Sequence, residues 1–349
     1  MMEIDLERVQ KEGTPLVDGN TVTFIWLGSQ APRLVGDFVG WREDAALQMV
    51  EQEPGVWTYT DILPVDAYIE YAFLMHDKRV LDPLNKATIS EDPGSLRNYF
   101  YMPEGEVTSL TERRFGISWG CISQYFVETN GWVTGEKRPL TLYRPPDIEA
   151  PYPLLVVFDG KAYLQDVRLP QMLANLMAEK RIAPLGLALV PSWEEARVHE
   201  YACNENTLRF VSDCVLPFAQ RELNLIDVQA NPGAYGVLGA SMGGLMALYA
   251  GLRFPHIFGH VLTQSGAFRL NGYGKAVFDL IQEYQGQFPD IWMDVGKFDI
   301  LLDANRCLRA LLVEKGCAIA YREYNAGHNY PAWRNDIYHG LEAMFPAQL

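Results

Sequence analysis

The sequence lacks the features of exported and membrane proteins. No stretch reaches the roughly 18 consecutive apolar residues that a membrane-spanning helix requires. The amino terminus, MMEIDLERVQ, is acidic where a signal peptide carries basic residues ahead of an apolar core. We therefore expect a soluble, cytoplasmic protein that does not bind membranes.

Cysteine and positive charge are also scarce. The five cysteines form an odd number without a CxxC motif, which disfavours both a disulfide framework and a zinc site. The 44 acidic residues exceed the 29 lysines and arginines, and the resulting formal charge of −15 disfavours nucleic acid as a partner. We therefore expect reduced thiols, no bound metal and no organic cofactor. A homo-oligomer is compatible with the sequence.

The pattern of apolar residues changes once along the 349 residues. From Gly19 to about Met102, short apolar runs alternate with turn residues, as in an antiparallel β-sandwich. From Gly105 onward, helical periods separate mostly apolar strands, which predicts a mostly parallel sheet with helices on both faces. We therefore predict a smaller all-β domain over residues 1–103 and a larger, doubly wound α/β domain over residues 104–349.

A serine lies at the junction of a predicted strand and a predicted helix. The run GVLGASMGG places Ser241 directly after a buried strand, and the next apolar residues recur at helical spacing. In a nucleophile elbow, the strand turns so sharply into the helix that the neighbouring residues must be small, as Gly239 and Gly243 are. The same turn places the Met242 amide at a helix amino terminus, where it can stabilise an oxyanion. We therefore predict that Ser241 is a nucleophile rather than part of a glycine-rich turn.

Later strand ends supply a candidate acid and a candidate base. Asp299 follows the strand IWMDVG and His328 follows the strand CAIAYREY, the chain order in which this fold delivers its acid and its histidine. The other five histidines do not stand just past such a strand. Asp294 lies inside its strand and Asp303 lies one turn into the next helix, so we predict Asp299 as the acid. An alternative role for Asp299 is to cap that helix, because aspartate is favoured there.

A second oxyanion donor is expected after an earlier strand. The strand LLVVFD is followed by Gly160 and Lys161, and glycine permits the loop to approach closely. We predict that the backbone amides of Lys161 and Met242 form the oxyanion hole.

These motifs resemble those of the enterochelin (siderophore) esterase family, a branch of the α/β-hydrolases that also includes feruloyl esterases and mycolyltransferases. In the second half of the chain, the resemblance rests on FDGKAYL, RVHEYACN, GASMGG, FPHIFGHVLTQSGAF and AGHNYPAW. In the first half, VGDFVGW and DPLNKATI resemble the immunoglobulin-like domain of these esterases and of glycogen-branching and isoamylase proteins.

The resemblance implies an α/β-hydrolase with the triad and the oxyanion loop named above. It also implies that Arg197 and Glu200 form an ion pair near the site, and it makes Gly160 and Arg197 candidate substrate contacts. For the first domain it allows carbohydrate binding, whereas we expect that domain to roof the active site.

The expected activity is hydrolysis of a small-molecule carboxylic ester through an acyl-enzyme. A siderophore trilactone and a feruloyl or acetyl ester of a sugar are competing substrates. The charge of −15 disfavours an anionic siderophore, although Lys161, Arg197 and Lys297 can gather at the mouth of the site. Two further alternatives are acyl transfer to an alcohol and a glucan-binding regulatory protein with a disused hydrolase domain.

Overall fold

The chain folds into two compact units. The structure, a computed structural model, describes residues 6–90, 95–193 and 195–347. Unit 1 contains Met1–Val107, Gly296–Ile300 and Tyr324–Ala332, and unit 2 contains Thr108–Val295, Leu301–Glu323 and Trp333–Leu349. Unit 1 therefore combines the first part of the chain with two short segments from late in the sequence. The predicted domain boundary after residue 103 stays a prediction.

Unit 1 contains two antiparallel sheets, called here the sandwich. Helix α1 (Leu6–Glu12) is followed by β1 (Leu16–Asp18), β2 (Thr21–Leu27), β3 (Arg33–Gly36), β4 (Leu47–Gln48), β5 (Val50–Glu53), β6 (Val56–Ile62), β7 (Tyr68–Met75), β8 (Lys78–Val80), β9 (Thr88–Ile89) and β10 (Arg97–Tyr101). One sheet has the order β1-β2-β6-β5, and the other has the order β4-β3-β7-β10-β9, with β8 paired to β7. This arrangement confirms the predicted all-β fold of the first domain.

The two sheets of the sandwich share one apolar core. Val22 and Phe24 of β2 are buried while Thr21 and Thr23 are partly exposed, as expected of a strand with one face in a core. Phe24 packs edge-on against Tyr71 of β7, with 4.9 Å between the ring centroids. Phe298, from one of the late segments of unit 1, packs against the same core. The late segment is therefore anchored by burial of an aromatic ring.

Unit 2 contains an eight-stranded sheet. Its strands are β11 (Cys121–Glu128), β12 (Lys137–Arg144), β13 (Leu154–Phe158), β14 (Gly186–Val190), β15 (Tyr235–Ala240), β16 (Phe258–Gln264), β17 (Asp290–Gly296) and β18 (Ile319–Tyr324). They lie in the order β11-β12-β14-β13-β15-β16-β17-β18. Strands β13 to β17 pair in parallel, whereas β11 and β12 are antiparallel. This confirms the predicted doubly wound α/β fold, in which β14 adds on one side of β13 and β15 on the other.

Helices connect the parallel strands, as the periodicity predicts. They are α2 (Gly160–Gln165), α3 (Leu169–Ala178), α4 (Arg197–Tyr201), α5 (Glu205–Phe210), α6 (Leu216–Glu222), α7 (Met242–Arg253), α8 (Lys275–Glu283), α9 (Leu302–Glu314) and α10 (Tyr330–Met344). The sequence ENTLRFVSDCVLPFAQREL forms α5 and α6, which are joined by a π-helical turn at Val211–Val215 with helical backbone angles at both of its ends. Among the described residues, no helix is both long and apolar enough to cross a bilayer.

Candidate active site

Ser241 lies at a sharp turn between β15 and α7. Its backbone has φ 56° and ψ −121°, a conformation that a residue with a side chain keeps only when its surroundings hold it there. The Ser241 amide donates to the Gln264 carbonyl at 2.9 Å, and the Ser241 carbonyl accepts from the Leu245 and Ala267 amides at 3.0 Å. The serine is partly exposed, although the strand before it and the residues after it are buried. The turn is therefore held firmly while the hydroxyl remains within reach of solvent.

Two glycines make this turn possible. A Cβ on Gly239 would lie 2.3 Å from the carbonyl carbon and oxygen of Gly243, so the backbones of β15 and α7 cross in contact. Met242 is buried and is the first residue of α7, so its N–H has no acceptor within the helix. The predicted strand-to-helix turn at Ser241 is therefore present, whereas the role of Ser241 as nucleophile stays a prediction.

The loop after β13 lies beside this turn. Strands β13 and β15 are neighbours at the point where the strand order reverses, which is where open α/β sheets bind ligands. A Cβ on Gly243 would lie 3.0 Å from Asp159 Oδ2, so this carboxylate reaches the amino terminus of α7. Gly160 is required by a close approach to β14, because a Cβ there would lie 2.4 Å from the Leu189 carbonyl carbon. The amide of Lys161 follows in the first turn of α2.

Arg197 is held by Asp159 and not by Glu200. Arg197 Nε and Nη2 donate to Asp159 Oδ1 and Oδ2 at 2.7 and 2.6 Å. The carboxylate is buried while the arginine side chain is 28% exposed, and a buried carboxylate needs such a bidentate partner. The Arg197–Glu200 ion pair that the resemblance implies is therefore wrong.

Glu200 instead pairs with Arg138 of β12. Arg138 Nη1 donates to both carboxylate oxygens of Glu200 at 2.9 and 3.1 Å, and Nη2 donates to the Pro191 carbonyl at 3.0 Å. Both side chains are almost wholly buried, so removing either would leave an uncompensated charge in the interior. Glu200 therefore pairs with the buried Arg138, and Arg197 pairs with Asp159.

Asp299 and His328 form a hydrogen-bonded pair within unit 1. His328 Nδ1 lies 2.9 Å from Asp299 Oδ2. The side chain of Asp299 is fully buried, whereas that of His328 is partly exposed. Helix α9 begins at Leu302 and its preceding residue is Leu301, so the alternative role of Asp299 as the cap of this helix is wrong. The structure therefore brings together two of the three predicted triad residues.

Asp294, the acid inside β17, belongs to a different network in unit 2. Asp294 Oδ2 accepts hydrogen bonds from Gln264 Nε2 at 2.9 Å and from Trp292 Nε1 at 3.2 Å. Burial, with a further contribution from the Asp336 carboxylate, raises the pKa of Asp294 well above its usual value. Since the Gln264 carbonyl holds the Ser241 amide, Asp294 supports the residue that fixes the turn.

Known proteins resemble this chain in sequence. A family described as "Putative esterase" matches residues 132–344. An iron(III) enterobactin esterase of Escherichia coli K12 is 28% identical over 226 residues, which are 62% of this chain and 52% of that protein. An iron(III) enterobactin esterase of Dickeya dadantii is 30% identical over 212 residues, which are 56% of this chain and 48% of that protein. The chain thus spans about half the length of the curated relatives it matches.

A solved structure resembles this chain over nearly its whole length. A ferric enterobactin esterase from Salmonella typhimurium has a TM-score of 0.77 at 22% identity, covering 95% of both chains. At this level of identity the similarity establishes the fold, an all-β domain followed by an α/β-hydrolase domain.

Proposed function

This chain belongs to the esterase family that matches residues 132–344, and from that membership we propose that it hydrolyses carboxylic esters through a covalent acyl-enzyme. Ser241 is the proposed nucleophile, with Asp299 and His328 as its acid and base. The observation that carries the proposal is the turn at Ser241, a strained serine between a buried strand and a helix that begins with the next residue. A turn with only a structural role would leave that strain without a purpose.

The proposed triad acts by moving one proton. His328 accepts the proton of Ser241 while Oγ attacks the ester carbonyl, and then gives it to the leaving alcohol. Asp299 accepts a hydrogen bond from His328 Nδ1, which leaves Nε2 as the basic nitrogen and stabilises the imidazolium. A water molecule then releases the acyl group from Ser241 by the same steps.

The proposed oxyanion hole consists of the backbone amides of Lys161 and Met242. Both amides belong to the first turns of helices, α2 and α7, where N–H groups have no acceptor within the helix. The strands before these helices, β13 and β15, are parallel neighbours, so both loops leave the same edge of the sheet. Loss of one such donor typically lowers kcat by about 100-fold or more.

For the substrate, we propose an ester of a catechol siderophore of the enterobactin type. The identity of 28% to 30% with two iron(III) enterobactin esterases supports this class. Arg197 then offers hydrogen-bond donors with little net charge, because Asp159 already compensates it. Gly160 serves the loop geometry, since it is buried against β14. That compensation, with the formal charge of −15, favours an uncharged feruloyl ester as the second candidate.

The first prediction concerns Ser241→Ala. We expect the variant to lose hydrolysis of p-nitrophenyl acetate, and we expect a fluorophosphonate probe to label the wild type but not the variant, because both reactions need the hydroxyl. Ser212→Ala, in the π-helical turn, is the control and should retain both.

A folded Ser241→Ala variant with full activity would end the proposal. A wild type that is neither active nor labelled, but binds glucan, would favour the regulatory alternative. Rates on enterobactin, on its linear trimer and on methyl ferulate distinguish the two substrate classes.

A further inference from the structure

The two segments that carry the acid and the base are built into the sandwich. The acid loop (Gly296–Ile300) and the histidine loop (Tyr324–Ala332) both belong to unit 1, and backbone hydrogen bonds of 2.7 and 3.0 Å join them to each other. The Tyr68 amide, at the start of β7, donates to the Asn325 carbonyl at 3.0 Å. Phe298 of the acid loop packs against the core of the sandwich. The position of the histidine loop therefore depends on the sandwich.

Asp37 is a carboxylate that the sandwich buries at this place. It begins the short helical turn after β3 and is 3% exposed. Its Oδ2 accepts a hydrogen bond from the Glu70 amide of β7 at 2.8 Å, and its Oδ1 accepts one from Trp41 Nε1 at 2.9 Å. Because both oxygens are bonded, the carboxylate is held in one orientation.

The same carboxylate lies against the histidine loop. A Cβ on Gly327 would lie 2.2 Å from both Cγ and Oδ1 of Asp37, and 2.7 Å from Oδ2. Gly327 is not among the residues with positive φ, so what requires glycine here is contact with Asp37 and not an unusual backbone conformation. Gly327 directly precedes His328. The carboxylate therefore touches the backbone that carries the imidazole.

The charged groups near Asp37 come from several elements. Arg97 of β10 faces it and is paired with Glu70 at 3.1 Å, while Asp299 faces it from the acid loop and is bonded to His328 of the histidine loop. Burial raises the pKa of Asp37 to about 7, Asp299 adds to the rise, and the two hydrogen bonds and Arg97 oppose it. Asp37 therefore changes its charge near neutral pH.

We propose that Asp37 is a positioning residue for His328: it seats the histidine loop and adds a negative charge near the imidazole that Asp299 holds. This inference rests on the proposed ester hydrolysis. His328 becomes an imidazolium during the reaction, and a second carboxylate in buried surroundings favours that charged form. Asp37 itself does not take up the proton, which moves only from Ser241 to His328 and on to the leaving alcohol.

Asp37→Asn tests this role by removing the charge while keeping the size of the side chain. With p-nitrophenyl acetate at pH 8, we expect kcat to fall by about tenfold with KM unchanged. At pH 6 the difference should largely disappear, because Asp37 of the wild type, with its pKa of about 7, is itself protonated there.

Stability distinguishes positioning from a merely structural role. Burial of Asp37 raises its pKa from 3.8 in the unfolded chain to about 7 in the folded protein. Below pH 3.8 the carboxyl is protonated in both states, so the raised pKa does not lower the free energy of unfolding. Between pH 3.8 and pH 7 the raised pKa lowers this free energy progressively, and above pH 7 the loss is complete. Asp37→Asn avoids this charge cost but loses one of the two accepted hydrogen bonds, because its amide nitrogen cannot accept. Its unfolding temperature relative to the wild type should therefore rise between pH 5 and pH 8, while its kcat relative to the wild type falls. A structural residue would lose stability together with activity.

Two further variants serve as control and second test. Asp82→Asn removes another buried carboxylate of the sandwich, which is bonded to Thr14 and Tyr71. Burial raises the pKa of Asp82 as well. The kcat of Asp82→Asn should match that of the wild type at both pH values.

The second test uses Gly327→Ala. This variant should lose activity because its Cβ would overlap Asp37. A double variant that also carries Asp37→Ala should recover part of the lost activity.

The outcomes separate the inference from the proposed function. Suppose that the wild type is active. If the ratio of the kcat of Asp37→Asn to the kcat of the wild type is the same at pH 8 as at pH 6, the inference fails, whereas the proposed ester hydrolysis stands. If the wild type is neither active nor labelled at Ser241, the inference is tested by the NMR resonance of the His328 Nδ1 proton. Asp37→Asn should shift this resonance at pH 8 and Asp82→Asn should not, and an unchanged resonance in Asp37→Asn would overturn the inference.

Discussion

At the scale of single residues, the buried carboxylate of Asp299 is the group on which the base most directly depends. We predict that Asp299→Asn lowers kcat/KM for p-nitrophenyl acetate by roughly 1,000-fold or more, because an amide can donate to the imidazole, favour the wrong tautomer and remove the carboxylate that is bonded directly to the imidazolium. Steady-state kinetics at pH 8 measure the loss.

Asp303→Asn is the matched control for this variant. Asp303 is exposed in the first turn of α9 and lies four positions along the chain. We expect its kcat/KM to stay within about twofold of the wild type, since an exposed side chain away from the site contributes little. Equal losses in the two variants would contradict the assignment of Asp299.

The sequence allowed prediction of which residues lie in the loops after the strands, because the order of the strands along the chain fixes these positions. It did not reveal side-chain partners. The expected pair of Arg197 and Glu200 is wrong because the interior offers each a different partner, Asp159 and Arg138. Asp37 escaped notice as well, since nothing in VGDFVGW indicates contact with a glycine so far along the chain.

At the scale of elements, the crossing of β15 and α7 leaves no room for one additional carbon atom. We predict that Gly239→Ala lowers the free energy of unfolding by about 2 to 3 kcal/mol, the usual cost of overpacking a rigid backbone contact. Because the turn at Ser241 would have to open, fluorophosphonate labelling should fall as well. Urea denaturation and labelling rates measure the two effects.

Gly286→Ala is the control for the same chemical change. Gly286 is exposed, and a Cβ there would meet only the Tyr284 ring at an ordinary 3.4 Å. It should unfold at the same urea concentration as the wild type. A Gly239→Ala variant as stable and as reactive as Gly286→Ala would show that the crossing tolerates a side chain.

The buried parallel strands of unit 2 were predictable from their apolar runs, but one exposed strand at the edge of its sheet was not. Strand β11 was missed because it is mostly exposed, with Ile122 and Phe126 among its exposed residues, and therefore lacks the run that marks a buried strand. The π-helical turn between α5 and α6 was not predicted either. Pro217, in the first turn of α6, has no N–H to donate, but helical periodicity continues through it.

At the scale of the whole molecule, the division of the chain into units makes a prediction about truncation. A chain that begins at Thr108 keeps the core of unit 2 but loses every sandwich contact of the acid and histidine loops. We predict that such a chain retains helical and strand circular dichroism while its esterase activity falls below detection. The expected role of the sandwich as a roof stays a prediction.

The full chain is the reference for this experiment, and adding residues 1–107 as a separate polypeptide is the second arm. Partial recovery of activity in that arm is expected if the sandwich seats the loops. Full activity of the truncated chain alone would show that the loops hold their positions without it.

The contact between Asp37 and Gly327 also has a consequence for how related sequences diverge. A carboxylate at position 37 and a side chain at position 327 compete for the same space, so the two positions should covary: aspartate with glycine, or a smaller residue with a larger one. Between relatives that differ at these two positions, exchange of the amino-terminal domain should succeed only when the residue before the histidine is exchanged with it.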